Sequence, residues 1–224
     1  MIVRHPTIAA LRSPAVSGSI SAVIFDFGGV LVTSPFTAMR QWAESNGHDA
    51  DTVMEIFLGP YHDDGDHPFH RAERGELSAA EFRPMIQQLA DDRAIDISTA
   101  RGLGSMVPIP SMVERARKLR SDGYRTALLS NTIREFASLW RTLVPIDELF
   151  EVIIESAAVG MRKPNPTIYR LALDRLGSPA PETVVFLDDH PGNIAGAAAV
   201  GLQTILVGDD PAPALAELDR LLAS

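Results

Sequence analysis

Residues 21–34 read Ser-Ala-Val-Ile-Phe-Asp-Phe-Gly-Gly-Val-Leu-Val-Thr-Ser. A short run of branched and aromatic residues drives into Asp26, and Gly28 and Gly29 follow at once. Such a run fits a strand buried on both faces of a parallel sheet. A carboxylate at its end, against backbone bare enough for close approach, is a candidate nucleophile or metal ligand.

Four further runs, at 124–129, 152–154, 183–187 and 203–207, have the same character. Helical patterns lie between them. Ser111-Met-Val-Glu114 and Thr132-Ile-Arg-Glu135 read as capping boxes that open helices. Asn165-Pro166 pairs a cap residue with proline at the first helical position, and the helix should reach about 176. Pro191 should start another helix, and 213–222 a last one. Strand and helix alternate throughout this part. The pattern predicts an α/β fold, a doubly wound, Rossmann-like parallel sheet of about five strands.

The link between the first and second strands is far longer than the dozen or so residues a plain crossover needs. Its pattern is helical at 36–46, 50–58, 78–91 (opened by Ser78-Ala-Ala-Glu81) and 98–106, with no strand signal. Residues 34–107 are therefore expected to form an inserted α-helical cap, with 21–33 and 108–224 as the core. Pro108 and Pro110 mark the return. Residues 1–20 carry Arg4 and Arg12 and no acid, but Pro6 and Pro14 interrupt them and no apolar core follows. They read as a disordered extension rather than a targeting leader.

The chain has 224 residues, 46% hydrophobic and 22% charged, enough for a proper core. Twenty basic against 29 acidic residues leave a net charge of −9. An acidic chain with no basic cluster points away from nucleic acid and anionic membranes. A phosphorylated small molecule stays open as a partner, because a bound cation reverses the local field. There is no cysteine, which excludes disulfides, thiolate catalysis and Cys-type metal sites. No apolar run reaches the ~18 residues of a membrane span. The expected location is the cytoplasm.

In open α/β sheets, ligands bind outside the carboxyl ends of the strands, near the point where strand order reverses. The first strand ends in Asp26, the second in Ser130-Asn131 and the fourth in Asp188-Asp189. The loop after the third carries Lys163 in Met161-Arg-Lys-Pro-Asn-Pro166, whose prolines should hold the lysine in extended backbone. These groups form a coherent set. A carboxylate could attack phosphorus, and paired carboxylates could hold a hard cation of the Mg²⁺ type. A lysine would neutralise charge on the phosphoryl group in flight. The hydroxyl and amide at 130–131, with N–H groups of a helix starting near 132, would hold the remaining oxygens.

The set resembles the haloacid dehalogenase-like hydrolase superfamily. Phe25-Asp26-Phe-Gly-Gly-Val-Leu31 is similar to its first motif, Leu129-Ser130-Asn131-Thr132 to its second and Arg162-Lys163-Pro164 to its third. Phe186-Leu-Asp188-Asp189-His-Pro-Gly-Asn193 is similar to its fourth. The helical insertion resembles the subclass that includes the phosphatase domain of soluble epoxide hydrolases and bacterial sugar-phosphate phosphatases. Glu73-Arg-Gly-Glu-Leu-Ser78 resembles a segment of the same group.

The resemblance implies Asp26, Ser130 and Lys163 as catalytic residues. It implies Ser130 and Asn131 as phosphate binders, beside the bare backbone of Gly29. It implies Asp26, the Gly28 carbonyl, Asp189 and a supporting Asp188 around Mg²⁺. One position departs. Where these phosphatases carry a proton-shuttling aspartate, the chain has Gly28, which keeps the carbonyl and loses the acid.

Three consequences follow. The protein is a phosphatase for good leaving groups or one that takes its acid from the cap, a dehalogenase-like enzyme, or a phosphate-binding protein with little turnover. His62, His67 and His70 lie close together among aspartates in the cap. They read as a solvated loop, a substrate-facing or proton-donating set, or a second metal site. His62 and His70 are the candidate replacement acids.

Overall fold

A computed structural model describes residues 19–100 and 106–223. In chain order the elements are β1 (Ala22–Phe25), α1 (Thr37–Ser45), α2 (Ala50–Leu58), α3 (Pro68–Glu73), α4 (Ala79–Asp91) and α5 (Pro110–Ser121). Then come β2 (Arg125–Ser130), α6 (Ala137–Leu143), α7 (Ile146–Leu149), β3 (Val152–Glu155), α8 (Ser156–Val159) and α9 (Pro166–Arg175). The chain ends with β4 (Val184–Asp188), α10 (Pro191–Ala198), β5 (Gln203–Leu206) and α11 (Ala212–Leu222).

The five strands form one parallel sheet in the order β3-β2-β1-β4-β5. Successive side chains on a strand point to opposite faces. Val23, Phe25, Leu128, Val185 and Leu187 pack on one face with α5, α7 and α11 through Met112, Leu119, Leu149 and Leu218. Ala22, Ile24, Leu129, Ile154 and Phe186 pack on the other with α9 and α10 through Ile168, Tyr169, Ala172 and Ala197. Burial on both faces is why these strands read as unbroken apolar runs. The order reverses beside β1: the chain winds outward through β2 and β3, then returns to lay β4 on the other side. The carboxyl ends of β1, β2 and β4 therefore meet at one crevice.

The helical insertion lies between β1 and β2. It leaves and re-enters the core at adjacent points. Thr33 N–H donates to the Val107 carbonyl at 2.8 Å, and Ile109 N–H to the Leu31 carbonyl at 2.8 Å. It has apolar clusters of its own, one of Met39, Val53, Met54, Leu58 and Phe69, the other of Ile56, Ile86 and Ala90. The box at Ser78 forms in full, closing both directions with Glu81.

Several local expectations are corrected. α5 starts at Pro110 with Ile109 as an uncapped N-terminus, so proline at the first position outranks the Ser111–Glu114 box. No helix starts at Thr132. A short 3₁₀ turn covers Arg134–Phe136, and Glu135 instead accepts from the Ala79 N–H of α4. Residues 98–100 make a turn rather than opening a helix, and 101–105 of the predicted 98–106 helix lie outside the described residues. The short helices α3, α7 and α8 carry too few residues for a periodic signal. Residues 1–18 of the predicted extension also lie outside the described residues, while Ile20 packs in the core. Among the described residues no helix is long and apolar enough to cross a membrane.

Candidate active site

Asp26 follows β1 and donates its N–H to the Leu187 carbonyl of β4 at 2.9 Å, which fixes its backbone at the crevice. Its Oδ1 lies 2.7 Å from Lys163 Nζ. The same Nζ reaches Asp188 Oδ2 at 2.7 Å. All three residues are buried. Asp188 is held further by the His190 N–H at 2.8 Å and by Asn193 Nδ2 at 3.0 and 3.1 Å. It is a braced anchor for the lysine. Asn193, the last residue of the fourth motif, thus serves to brace Asp188.

Asp26, Asp188 and Asp189 each offer a carboxylate oxygen within 4.8 Å of the others. Three acids against one lysine leave the cluster short of positive charge. Burial, outweighing Lys163 and joined by Asp188, pushes the Asp26 carboxyl up to about 6. Burial, with Asp188 and Asp26 beside it, pushes Asp189 up to about 8. Burial opposes the Lys163 charge, yet Asp188 and Asp26 hold its ammonium above the ordinary range. Hard oxygen donors that disfavour one another without a cation suit a Mg²⁺-type ion. Gly29 makes room for them. Its φ is +75°, and a Cβ there would collide with the Asp189 carboxylate. Its N–H is taken by the Val32 carbonyl at 2.8 Å, so it serves space rather than donation.

A cleft of about 610 Å³ opens above this floor. Asp26, Gly28, Ser130, Asn131, Lys163, Asp189 and His190 line it from the core, and Phe36, Arg40, Met54, Leu58, Tyr61 and His62 from the insertion. The structure thus brings Asp26, Ser130, Asn131, Lys163, Asp189 and the Gly28 backbone together. Ser130 is buried at the strand end, and its hydroxyl has only a long 3.5 Å contact to the Asn131 carbonyl. Asn131 spends its side chain on Lys163. Its Oδ1 accepts the Lys163 N–H at 2.8 Å and its Nδ2 donates to the Lys163 carbonyl at 3.0 Å.

Lys163 sits in a turn closed by Asn165 N–H to the Arg162 carbonyl at 3.0 Å, and Asn131 holds its backbone. Two expectations fail here. The Thr132 N–H donates to Ser156 Oγ at 2.8 Å, which removes the proposed anion cradle at that point. His70 is fully buried off the cleft, its Nδ1 accepting the Gly65 N–H at 3.1 Å. The histidine segment is therefore not one solvated loop: His62 faces the cleft, His67 caps α3 and His70 lies inside.

Sequence reasoning missed Pro35. A Cβ on Gly28 would sit 3.1 Å from Pro35 Cδ, so a side chain at 28 would press on that ring and push it back by a few tenths of an ångström. Spacing alone carries no signal of this contact, because the turn at 29–35 creates it.

Comparison with known proteins identifies relatives of the chain. The family profile described as a haloacid dehalogenase-like hydrolase matches residues 20–201. Acyl-CoA dehydrogenase family member 10 of Mus musculus is 34% identical over 212 residues, covering 91% of this chain and 19% of that protein. The chain thus spans about a fifth of that relative's length. (S)-2-haloacid dehalogenase 4A of Burkholderia cepacia is 30% identical over 194 residues, 84% of this chain and 83% of its own. The crystal structure of a HAD family enzyme, bt-2542 of Bacteroides thetaiotaomicron, in complex with magnesium and inorganic phosphate, superposes with a TM-score of 0.60. It is 25% identical and covers 86% of this chain and 97% of its own.

Proposed function

The chain belongs to the haloacid dehalogenase-like hydrolase family, and we propose that it is a Mg²⁺-dependent phosphatase of a small phosphorylated metabolite. The observation that carries this reading is the buried floor of the cleft. One lysine bridges Asp26 and Asp188, and Asp189 offers a carboxylate oxygen within 4.8 Å of theirs. The solved relative that holds magnesium and phosphate together supports it.

Asp26 attacks phosphorus in line, forming an aspartyl-phosphate as the bond to the leaving oxygen breaks. Water then attacks phosphorus and frees the carboxylate. Lys163 neutralises phosphoryl charge while keeping Asp26 ionised, and Ser130 donates its hydroxyl to a phosphoryl oxygen. Asn131 fixes the backbone of Lys163. Asp26, Asp189 and the Gly28 carbonyl, with Asp188 behind them, are the residues that would hold Mg²⁺. The ion would supply charge neutralisation and orient the phosphoryl group. The insertion closes the cleft over the leaving group and sets its specificity. With no acid at 28, the departing oxygen takes its proton from water or from His62, the histidine of the insertion that lines the cleft.

A second reading has its own support. Halide needs no proton on departure, so Gly28 suits a dehalogenase, and one relative carries that name. The acid pair at 188–189 weighs against it, because displacement of halide needs no divalent ion. A third reading is a phosphometabolite-binding protein with little turnover. Release of phosphate from p-nitrophenyl phosphate, with and without Mg²⁺, separates the three beside an Asp26→Asn control. The phosphatase reading expects Mg²⁺-dependent turnover that falls at least ~10³-fold in the variant. Halide release from 2-chloropropionate without metal, or phosphate binding without turnover, overturns it in favour of the second or third reading.

A further inference from the structure

The segment Glu73-Arg-Gly-Glu76 has no part in the chemistry above, yet it holds Glu73, the most deeply buried charge among the described residues of the insertion. Glu73 is 1% exposed, and Arg162, its partner from the core, is 0% exposed. Arg162 Nε donates to Glu73 Oε2 at 2.8 Å, and Arg162 Nη1 donates to the Asp63 carbonyl at 2.5 Å. The guanidinium also lies 4.9 Å over the Tyr61 ring, while the Tyr61 hydroxyl donates to Glu73 Oε1 at 2.9 Å. Gly75 lets the backbone close in. Its φ is +70°, and a Cβ there would strike the Ala157 carbonyl of α8. Asp64 joins the two parts again, accepting from Arg74 Nη1 at 2.6 Å and from Asn165 Nδ2 at 2.9 Å.

Arg162 precedes Lys163 in the chain, and the two side chains are pinned by different partners. Lys163 is fixed by Asp26 and Asp188, and its backbone by Asn131. Arg162 is fixed by the insertion. Asn131 Nδ2 lies 3.5 Å from the Tyr61 hydroxyl, so the two anchorages touch. A buried ion pair is a poor source of net stability, since apolar residues of similar volume often do as well or better. What such a pair does supply is a fixed geometry, because leaving either charge unpaired is costly.

We propose that the Glu73–Arg162 pair is a clasp that locks α3 and the 61–76 segment onto the active-site turn, with Glu73 a positioning residue for Lys163 and Asn131. It rests on the phosphatase reading of the cleft. The 61–76 wall is then a fixed part of the site, and any closing motion belongs to α1 and α2.

The test replaces the pair together, Glu73→Met with Arg162→Met, so that no buried charge is left bare. The expected protein melts within about 5 °C of the wild type. Its kcat falls about 10-fold or more with KM changed less than about 2-fold. Amide hydrogen exchange in 61–76 accelerates while that of β1–β5 does not. Wild-type kcat together with wild-type exchange overturns the clasp. Tyr61→Phe leaves the ion pair intact and should lower kcat by a smaller factor. If the double variant fails to fold, an unchanged kcat in Tyr61→Phe overturns the positioning role. A wild type without phosphatase activity refutes the reading of the site, while the exchange pattern still decides whether the clasp exists.

Discussion

A methyl group at residue 29 has nowhere to go. It would need a left-handed backbone at φ +75° and would collide with the Asp189 carboxylate. Gly29→Ala should therefore cost at least about 2 kcal/mol by urea denaturation. It should weaken Mg²⁺ binding measured by calorimetry, because Asp189 must move aside. Gly28 makes a different demand. Gly28 offers no side chain that could donate a proton, and a Cβ there would press on Pro35 Cδ at 3.1 Å. Turnover should depend steeply on the leaving group. Aryl phosphates should exceed simple alkyl phosphates by ~10²-fold or more in kcat/KM, the range in which a general acid normally contributes. Equal rates for both would show that another group donates efficiently.

The residues legible in the sequence were those at strand ends. Asp26, Ser130 and Asp189 needed only a parallel sheet and its switch point to be placed together, and Lys163 needed only the loop beside them. His70 was not legible. Nothing in a run of histidines and aspartates says which ring turns inward, and tertiary packing beneath α2 decided it.

At the scale of elements, caps written in neighbouring residues were readable, as at Ser78–Glu81 and Asn165–Pro166. The box at Ser111 was outranked by the proline before it, and the one at Thr132 by a buried bond to Ser156. Helix α3 carries a consequence of its own. Burial, then the Arg162 charge and His67, push His70 down to about 4 from an ordinary value of 6.5. The folded protein thus keeps His70 neutral where the unfolded chain takes a proton. The stability at stake is fully present above pH 6.5 and is lost as the pH falls toward 4. The urea midpoint should drop across that window, and His70→Gln should make the drop shallower. An identical pH profile in the variant would remove His70 from the account.

At the scale of the whole molecule, the fold follows from alternation. Five apolar runs separated by helical patterns leave few arrangements, and the observed order β3-β2-β1-β4-β5 is one of them. The placement of the insertion over the crevice was not readable in this way. Its helices are amphipathic and pack mainly on one another, so their pattern reports an internal core rather than a docking face. The charge balance of the assembled site predicts a global effect. Mg²⁺ at about 100 times its dissociation constant should stabilise the fold by about 2.7 kcal/mol. Calorimetry or thermal unfolding should show that gain in the wild type and lose most of it in Asp189→Asn.

The proposed phosphatase chemistry stands or falls on Asp26 carrying the phosphoryl group. The most direct measurement is an acid quench of the protein during turnover of p-nitrophenyl phosphate with Mg²⁺, followed by mass spectrometry of its peptides. A phosphoryl group should appear on Asp26, labile to hydroxylamine and absent from Asp26→Asn. Turnover that continues with Asp26 unmodified, or with the label on another residue, would contradict it.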